Sequence, residues 1–262
     1  MSRTGYHLVD MSPWPLTASI GAFCLTSGLV SFMHYGGYKL AFLGLLLVLM
    51  TSVVWWTDVV TEGTMMGCHT SLVARGLRIG MGLFILSEAA FFLSFFWAFF
   101  HCSFGALMQM ETWPPVGVKA FKVYGIPVLN TGLLLASGVT VTWTHKAIQC
   151  CHNSKEDLIS LGLTIFLGLS FTKVQLDEYL TCSFSIWDGA FGSTFFVMTG
   201  FHGLHVIVGS LFLIVCFFRC MYDHFYVGEN HVGLQAAIWY WHFVDVVWIF
   251  VFTFVYCWGF WS

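Results

Sequence analysis

Glu88 is the residue whose position most invites chemistry, because it lies inside a long apolar stretch that runs from about 78 to 100. If that stretch is a membrane-crossing helix, about ten residues at 1.5 Å each place Glu88 roughly 15 Å deep, near the bilayer centre. A charged side chain there costs about 2.5 to 3.5 kcal/mol, so we expect the carboxyl to be protonated or to face a polar partner. It is either a proton-linked acid or a neutral carboxyl hydrogen-bonded between helices. We expect no other carboxylate to be buried so clearly at mid-membrane.

Three histidines form the second candidate for chemistry. His202 and His205 lie three residues apart in one apolar stretch, and His242 lies in the next. Residues at i and i+3 share a helix face, so a metal or haem site built from neutral imidazoles is one hypothesis. Structural hydrogen bonding is the other, since a closed metal site needs further ligands that the spacing does not supply. Asp245 follows His242 at i+3, and we interpret these two as a packed structural polar pair.

The chain that must position these groups is strongly apolar. It has 262 residues, of which 58% are hydrophobic and 9% are charged, whereas about a quarter of an ordinary soluble domain is charged. Such a composition requires lipid as the solvent. The net charge is −3 and the basic residues are scattered singly, so no basic patch is present to hold a nucleic-acid backbone.

Seven apolar segments of about membrane-spanning length follow an N-terminal segment, 1–15. They cover about 16–32, 40–60, 78–100, 126–144, 158–176, 189–218 and 232–260. This pattern predicts an all-α polytopic membrane protein with a single transmembrane domain, 1–262. Gly36 and Gly37 are expected to end the first crossing. Clusters at Trp55-Trp56, Trp239-Tyr240-Trp241 and Trp258 to Trp261 are expected to form belts at the membrane interfaces.

The orientation follows from the basic residues between the segments. With the N-terminus inside, the inner side holds Arg3, Arg75, Arg78, Lys146, Lys155 and Arg219, and the outer side holds Lys39, Lys119 and Lys122. Because cytoplasmic or matrix-side loops are enriched in Lys and Arg, this distribution predicts an inner N-terminus.

Four continuous strings carry a resemblance to a known family. They are SEAAFFLSFFWAFFH from Ser87, LNTGLLLASGVTVTWTH from Leu129, GSTFFVMTGFHGLHVIVGS from Gly192 and AAIWYWHFVDVVWIF from Ala236. Together with the stretch from Ser12 to Leu16, they resemble subunit III of the haem-copper cytochrome c oxidases. The resemblance covers nearly the whole chain, and strings of this length are highly specific.

The resemblance implies an accessory, non-redox core subunit of respiratory complex IV, a proton-pumping oxidoreductase. Such a subunit has no reaction of its own and no redox-active cofactor. It packs beside catalytic subunit I, subunit II and other oxidase subunits, and the partner subunits hold haem a and copper. It supports proton uptake while electrons pass from cytochrome c to oxygen. The expected location is the mitochondrial inner membrane with the N-terminus in the matrix, and a bacterial plasma membrane is the alternative.

In this family the first two helices lean away from the last five, and tightly bound phospholipid fills the V-shaped cleft between them. The matching positions that contact lipid are Trp55, Trp56, Glu62, His69, Arg219 and His224. Glu88 matches a buried, carbodiimide-reactive glutamate of the family. Thr57 and Thr61 stand where better-known animal members have arginine, which leaves the identity of the lipid open.

Two other functions compete with this one. An independent transmembrane haem protein would use His202, His205 and His242 as ligands. A transporter is the second alternative, although the sequence contains no detectable paired repeats. A retinal pump is excluded because the seventh segment, 232–260, contains no lysine for a Schiff base.

Overall fold

The computed structural model describes residues 5–109, 111–119, 122–150, 154–225 and 231–258. Within these ranges the chain is all-helical, with seven helices that are long and apolar enough to cross a membrane. The helices are α1 Trp14–Tyr35, α2 Lys39–Thr64, α3 Ser71–Met108, α4 Ile126–Cys150, α5 Ser154–Thr181, α6 Gly189–Met221 and α7 Val232–Val251. A π-helical turn, Phe252–Cys257, continues α7. The predicted fold class is confirmed.

The helices extend beyond most of the predicted segments. The third was predicted at 78–100, whereas α3 has 38 residues, which at 1.5 Å each make a rod of about 57 Å. That exceeds the hydrocarbon thickness of roughly 30 Å, because hydropathy marks the crossing and not the polar turns that continue the helix. The predicted end of the seventh segment, Phe260, lies outside the described residues. Gly36 ends α1 as predicted, with φ of 71° and its N–H bonded to Phe32 O at 2.9 Å.

The chain divides into two compact units, 1–76 and 77–262. The first contains α1, α2 and the start of α3, and the second contains the remainder. The single transmembrane domain and the V-shaped cleft between the first two helices and the last five stay predictions.

Glycines hold the two helices of the first unit together. A Cβ built on Gly28 of α1 would overlap the backbone nitrogen of Ala41 in α2, and one on Gly44 would overlap that of Leu25. The later residue of α1 contacts the earlier residue of α2, so the two helices are antiparallel. Small residues at such contacts let helix backbones approach closely in lipid.

Large aromatic side chains fill the second unit. Trp241 and Trp248 of α7 are 0% and 1% exposed. Their indole nitrogens donate to hydroxyl groups of α4, Trp241 to Ser137 Oγ at 2.9 Å and Trp248 to Thr131 Oγ1 at 3.0 Å. These two bonds fasten α7 to α4, since a buried indole N–H requires an acceptor.

The predicted aromatic belt at 239–241 is therefore wrong for two of its three residues. Trp241 and Tyr240 are buried in the protein, and only Trp239 is exposed. Three successive residues of a helix point about 100° apart, so they cannot share one lipid-facing surface. Trp258 is half-buried and donates to Ser103 Oγ at 3.1 Å, while 259–261 lie outside the described residues.

Candidate lipid-contact residues and buried acids

Two tryptophans near the C-terminal end of α2 are open to the surroundings of the first unit. Trp55 is 37% exposed and Trp56 is 68% exposed. The end of α2 is also fixed by Trp14, whose Nε1 donates to Asp58 at 2.6 Å. Large amphipathic rings at the end of an apolar helix are suited to the headgroup level of a membrane.

Glu62 lies one turn further along α2 and faces another part of the same unit. Its Oε2 is 3.2 Å from Nε2 of His7, and both side chains are largely buried. The centroids of the His7 and His69 rings lie 6.2 Å apart in a T-shaped arrangement. A Cβ on Gly63 would come within 2.7 Å of His69 Nδ1, so the glycine leaves room for that ring. The two predicted lipid residues of this region, Glu62 and His69, thus meet around His7, which the sequence interpretation missed.

The other two predicted lipid residues lie where α6 ends. The Arg219 guanidinium sits 4.7 Å above the Phe225 ring, and a Cβ on Gly233 would come within 2.8 Å of its Nη1. His224 follows in the next turn, with its backbone N–H bonded to Arg219 O at 3.0 Å. Neither Arg219 Nε nor His224 Nδ1 has a hydrogen-bond partner among the described residues.

The partner of Glu88 is His205 of α6. Glu88 Oε2 lies 3.0 Å from His205 Nε2, and His205 Nδ1 lies 2.7 Å from Phe201 O. A carbonyl oxygen only accepts, so Nδ1 carries a proton and the bond to Glu88 holds one more. The pair is therefore neutral overall whichever atom holds that second proton. Glu88 is therefore hydrogen-bonded between two helices, α3 and α6. Its other interpretation, as a proton-linked acid, stays a prediction.

The other histidines also have hydrogen-bond partners. His202 is 1% exposed, and its Nε2 donates to Val244 O at 3.2 Å. His242 Nε2 lies 3.3 Å from Thr142 Oγ1, whose own hydroxyl donates to Gly138 O. Because that hydroxyl proton is already used, His242 is the donor to Thr142. Over the described residues, no group of three or more His, Cys, Asp or Glu side chains is arranged to hold a metal ion.

His242 and Asp245 are not bonded to each other. They line one groove on α7, yet neither a hydrogen bond nor an ion pair joins them in the described part of the chain. Asp245 is 7% exposed, and its Oδ1 has no hydrogen-bond partner among the described residues. The two residues are therefore neighbours on one surface without a direct bond, and their role as a packed structural polar pair stays a prediction.

A further carboxyl, not predicted from the sequence, is buried in α5. Glu178 is 0% exposed, and its Oε2 accepts from Gln175 Nε2 at 2.9 Å and from Tyr256 OH at 3.1 Å. Asn130 of α4 joins by donating to Gln175 Oε1 at 3.2 Å. This network links α4, α5 and the π-helical turn. Glu88, expected to be the most clearly buried acid, has a side chain that is 23% exposed. Three acids are more deeply buried, namely Glu178, Asp157 and Asp245.

The described residues form seven apolar helices, and hydrogen bonds between buried polar side chains connect several of them. This architecture defines a polytopic integral membrane protein. Residues 4–260 match the family described as cytochrome c oxidase subunit III. The chain belongs to this family, which confirms the resemblance found in its sequence.

Animal relatives match along their full length. A protein named cytochrome c oxidase subunit 3 from Branchiostoma lanceolatum is 52% identical over 262 residues, covering 98% of this chain and 99% of the relative. Proteins of the same name from Cyprinus carpio and Xenopus laevis are each 53% identical and cover 97% of both chains. The chain is thus a subunit of complex IV, assembled with other oxidase subunits, and a mitochondrial membrane protein.

Proposed function

We propose that this chain is an accessory, non-redox subunit that stabilises catalytic subunit I beside subunit II, binds phospholipids and supports proton uptake during electron transfer from cytochrome c to oxygen. It catalyses no reaction of its own, and haem a and copper belong to its partners. The observation that carries the non-redox part is the hydrogen bonding of His202, His205 and His242. Each uses its Nε2 atom for a bond within the protein, and a haem ligand would need that nitrogen for iron.

Phospholipid binding is supported by the chemistry at the ends of two helices. Trp55 and Trp56 offer exposed rings where the apolar part of α2 ends, just before Asp58, and such rings favour the headgroup level. Arg219 offers a guanidinium held over Phe225 with its Nε unpaired among the described residues. A phosphate oxygen is the acceptor that a guanidinium prefers. Glu62 and His69 would contact a headgroup through the cluster that they form with His7.

The support for proton uptake is indirect. Glu88 shares one proton with His205 in a neutral pair, and a single pair of this kind does not span a membrane. The chain would therefore favour uptake through the structure and surface of the catalytic subunit. The inner mitochondrial membrane with a matrix N-terminus is the proposed setting, supported by the basic residues on that side.

Native separation of mildly solubilised membranes tests the whole proposal. We expect the chain to co-migrate with a particle that contains haem a and copper, and we expect both cofactors to stay with the partners when the chain is stripped away. If the chain runs alone with stoichiometric haem of its own, the independent haem protein is correct. If it runs alone without haem, the transporter becomes the better hypothesis.

The lipid part has its own measurement on the same particle. Arg219→Gln removes the guanidinium, and mass spectrometry should then find fewer tightly bound anionic phospholipids. Arg75→Gln is the matched control, since Arg75 is an exposed arginine in the first unit. An equal lipid content in the wild type and both variants would show that Arg219 holds no lipid.

A further inference from the structure

A groove with a volume of about 400 Å³ runs along α4 and α7 in the second unit. Its walls are apolar, with Val139 70% exposed and Val246 50% exposed. Three polar side chains, Thr142, His242 and Asp245, line the same groove. A membrane-protein surface that faced only lipid would not be expected to carry so many polar groups.

Asp245 is the group in this groove whose bonding is incomplete. The carboxyl is 7% exposed, and its Oδ1 has no hydrogen-bond partner among the described residues. The ion pairs found over those residues are His7 with Glu62 and His205 with Glu88. His242 does not compensate, because its Nε2 donates to Thr142. A carboxyl buried in this way carries a charge only if a donor or a cation from outside the chain pairs with it.

The opposing helix makes room for this carboxyl. A Cβ on Gly138 of α4 would come within 2.7 Å of Asp245 Oδ2. Any larger residue at 138 would push the acid out of its position.

The depth of Asp245 restricts what the missing partner is. Asp245 lies thirteen residues after Val232 and twelve before Cys257, the first and last residues of the α7 span. At 1.5 Å per residue it is about 18 to 20 Å from either end, near the middle of the hydrocarbon layer. Lipid headgroups do not reach that depth, and acyl chains carry no hydrogen-bond donor. A partner that reaches Asp245 at that depth is therefore a protein side chain.

We propose that this groove is the surface with which the chain docks on a transmembrane helix of a neighbouring oxidase subunit, and that a Lys or Arg of that helix pairs with Asp245. A cation supplies the missing hydrogen bond and also balances the charge, which a neutral donor does not. The proposal rests on assembly of the chain into the oxidase, and it adds the face and the chemistry of the contact.

A photo-crosslinking residue placed at Val139 tests the docking surface in the assembled oxidase. We expect a covalent adduct with another oxidase subunit, and the crosslinked peptide should contain a Lys or Arg within an apolar segment. A crosslinker at Phe166, an exposed position of α5, is the comparison and should not trap that peptide. Adducts at Val139 with phospholipid only, or with a second copy of this chain, would overturn the proposal.

Replacement of the acid tests the charge. In Asp245→Asn the shape is preserved and the charge is lost, and release of the chain from the oxidase in detergent should become faster by about tenfold or more. Asp177→Asn, at an exposed acid of α5, should release at the wild-type rate. Unchanged release of the Asn variant would exclude ion pairing at Asp245. The crosslink is made with Asp245 intact, so it decides the matter even if the variant fails to assemble.

These outcomes separate this inference from the proposed function. Native separation first shows whether the chain is on the oxidase at all. If it co-migrates with haem a and copper while Val139 crosslinks only to lipid, the groove is not the docking surface but the proposed function stands.

Discussion

The two units of this chain differ in how closely the backbones of their contacting helices approach each other. In the first unit α1 and α2 meet through Gly28 and Gly44, and their buried residues are small. In the second unit, α7 meets α4 through the buried indoles of Trp241 and Trp248, each bonded to a hydroxyl. One contact brings two backbones together, and the other fills the space between them and fixes it with hydrogen bonds.

The difference teaches how helices associate where water is absent. Lipid tails are as apolar as leucine, so burying an apolar side chain against another helix gains little by itself. What remains is close packing and interhelical hydrogen bonding. The first unit combines the close packing at its glycines with the bond from Trp14 to Asp58, whereas the second unit depends mainly on hydrogen bonds of Trp, Gln and Glu side chains. The two units should therefore respond differently to the same kind of substitution.

The largest effect is expected from adding a single methyl group to the first unit. In Gly28→Ala the new Cβ meets the backbone of Ala41, and a backbone cannot rotate away as a side chain can. The helices must separate, with a loss of about 3 kcal/mol in the free energy of unfolding. Unfolding in mixed micelles titrated with sodium dodecyl sulfate measures it.

The matched control for this variant is Gly76→Ala. Gly76 is a helical glycine in the same unit, and a Cβ there meets no described atom within 4 Å. Its free energy of unfolding should equal that of the wild type or be slightly higher, because alanine has a higher helix propensity than glycine. Equal stability of the Gly28 and Gly76 variants would show that close backbone approach does not hold α1 to α2.

A smaller loss is expected when the second unit loses a buried acceptor. Glu178→Leu leaves the Tyr256 hydroxyl and the Gln175 amide without their shared acceptor, which costs about 2 kcal/mol. Glu178→Gln keeps one oxygen at that position and should lose less than half as much. The same detergent titration compares the two.

Asp177→Leu is the control for Glu178, because Asp177 is the adjacent acid and is exposed. It should leave the free energy of unfolding nearly unchanged. If Glu178→Leu is as stable as the wild type, apolar packing has replaced the network without loss, and hydrogen bonding is not what distinguishes the second unit.

The fold was largely predictable from the sequence because a membrane imposes one length on every crossing. All seven helices were found, yet α3 was predicted at 78–100 and begins at Ser71. Arg75 and Arg78 lie in its first two turns and interrupt the hydropathy signal there. The belt at 239–241 was predicted wrongly for a related reason, since composition marks Trp and Tyr as interfacial but does not show which side of the helix faces the protein.

The candidate sites were predictable by residue type and much less by partner. Glu88 was identified by its depth, but its partner His205 is 117 residues away, and helical spacing reveals neighbours on the same helix only. Glu178 was missed because the fifth segment was predicted to end at 176, which placed the acid outside the membrane. The sequence did contain one signal for this site, because Glu178 follows Gln175 at i+3 and residues at that spacing can hydrogen-bond along a helix.

The smallest effect, a change in the oxygen consumption rate, is expected from a substitution at Glu88. Here the comparison between the two units is one between two similar Glu–His pairs. Glu62 with His7 in the first unit and Glu88 with His205 in the second are separated by 3.2 and 3.0 Å. In Glu88→Gln the amide N–H can still donate to His205 Nε2, because Nδ1 is the atom bonded to Phe201 O. The oxygen consumption rate per haem should therefore change by less than about twofold, as it should for Glu62→Gln. Loss of most turnover in an intact complex carrying Glu88→Gln, but not Glu62→Gln, would instead mean that the proton of the Glu88 pair moves during turnover.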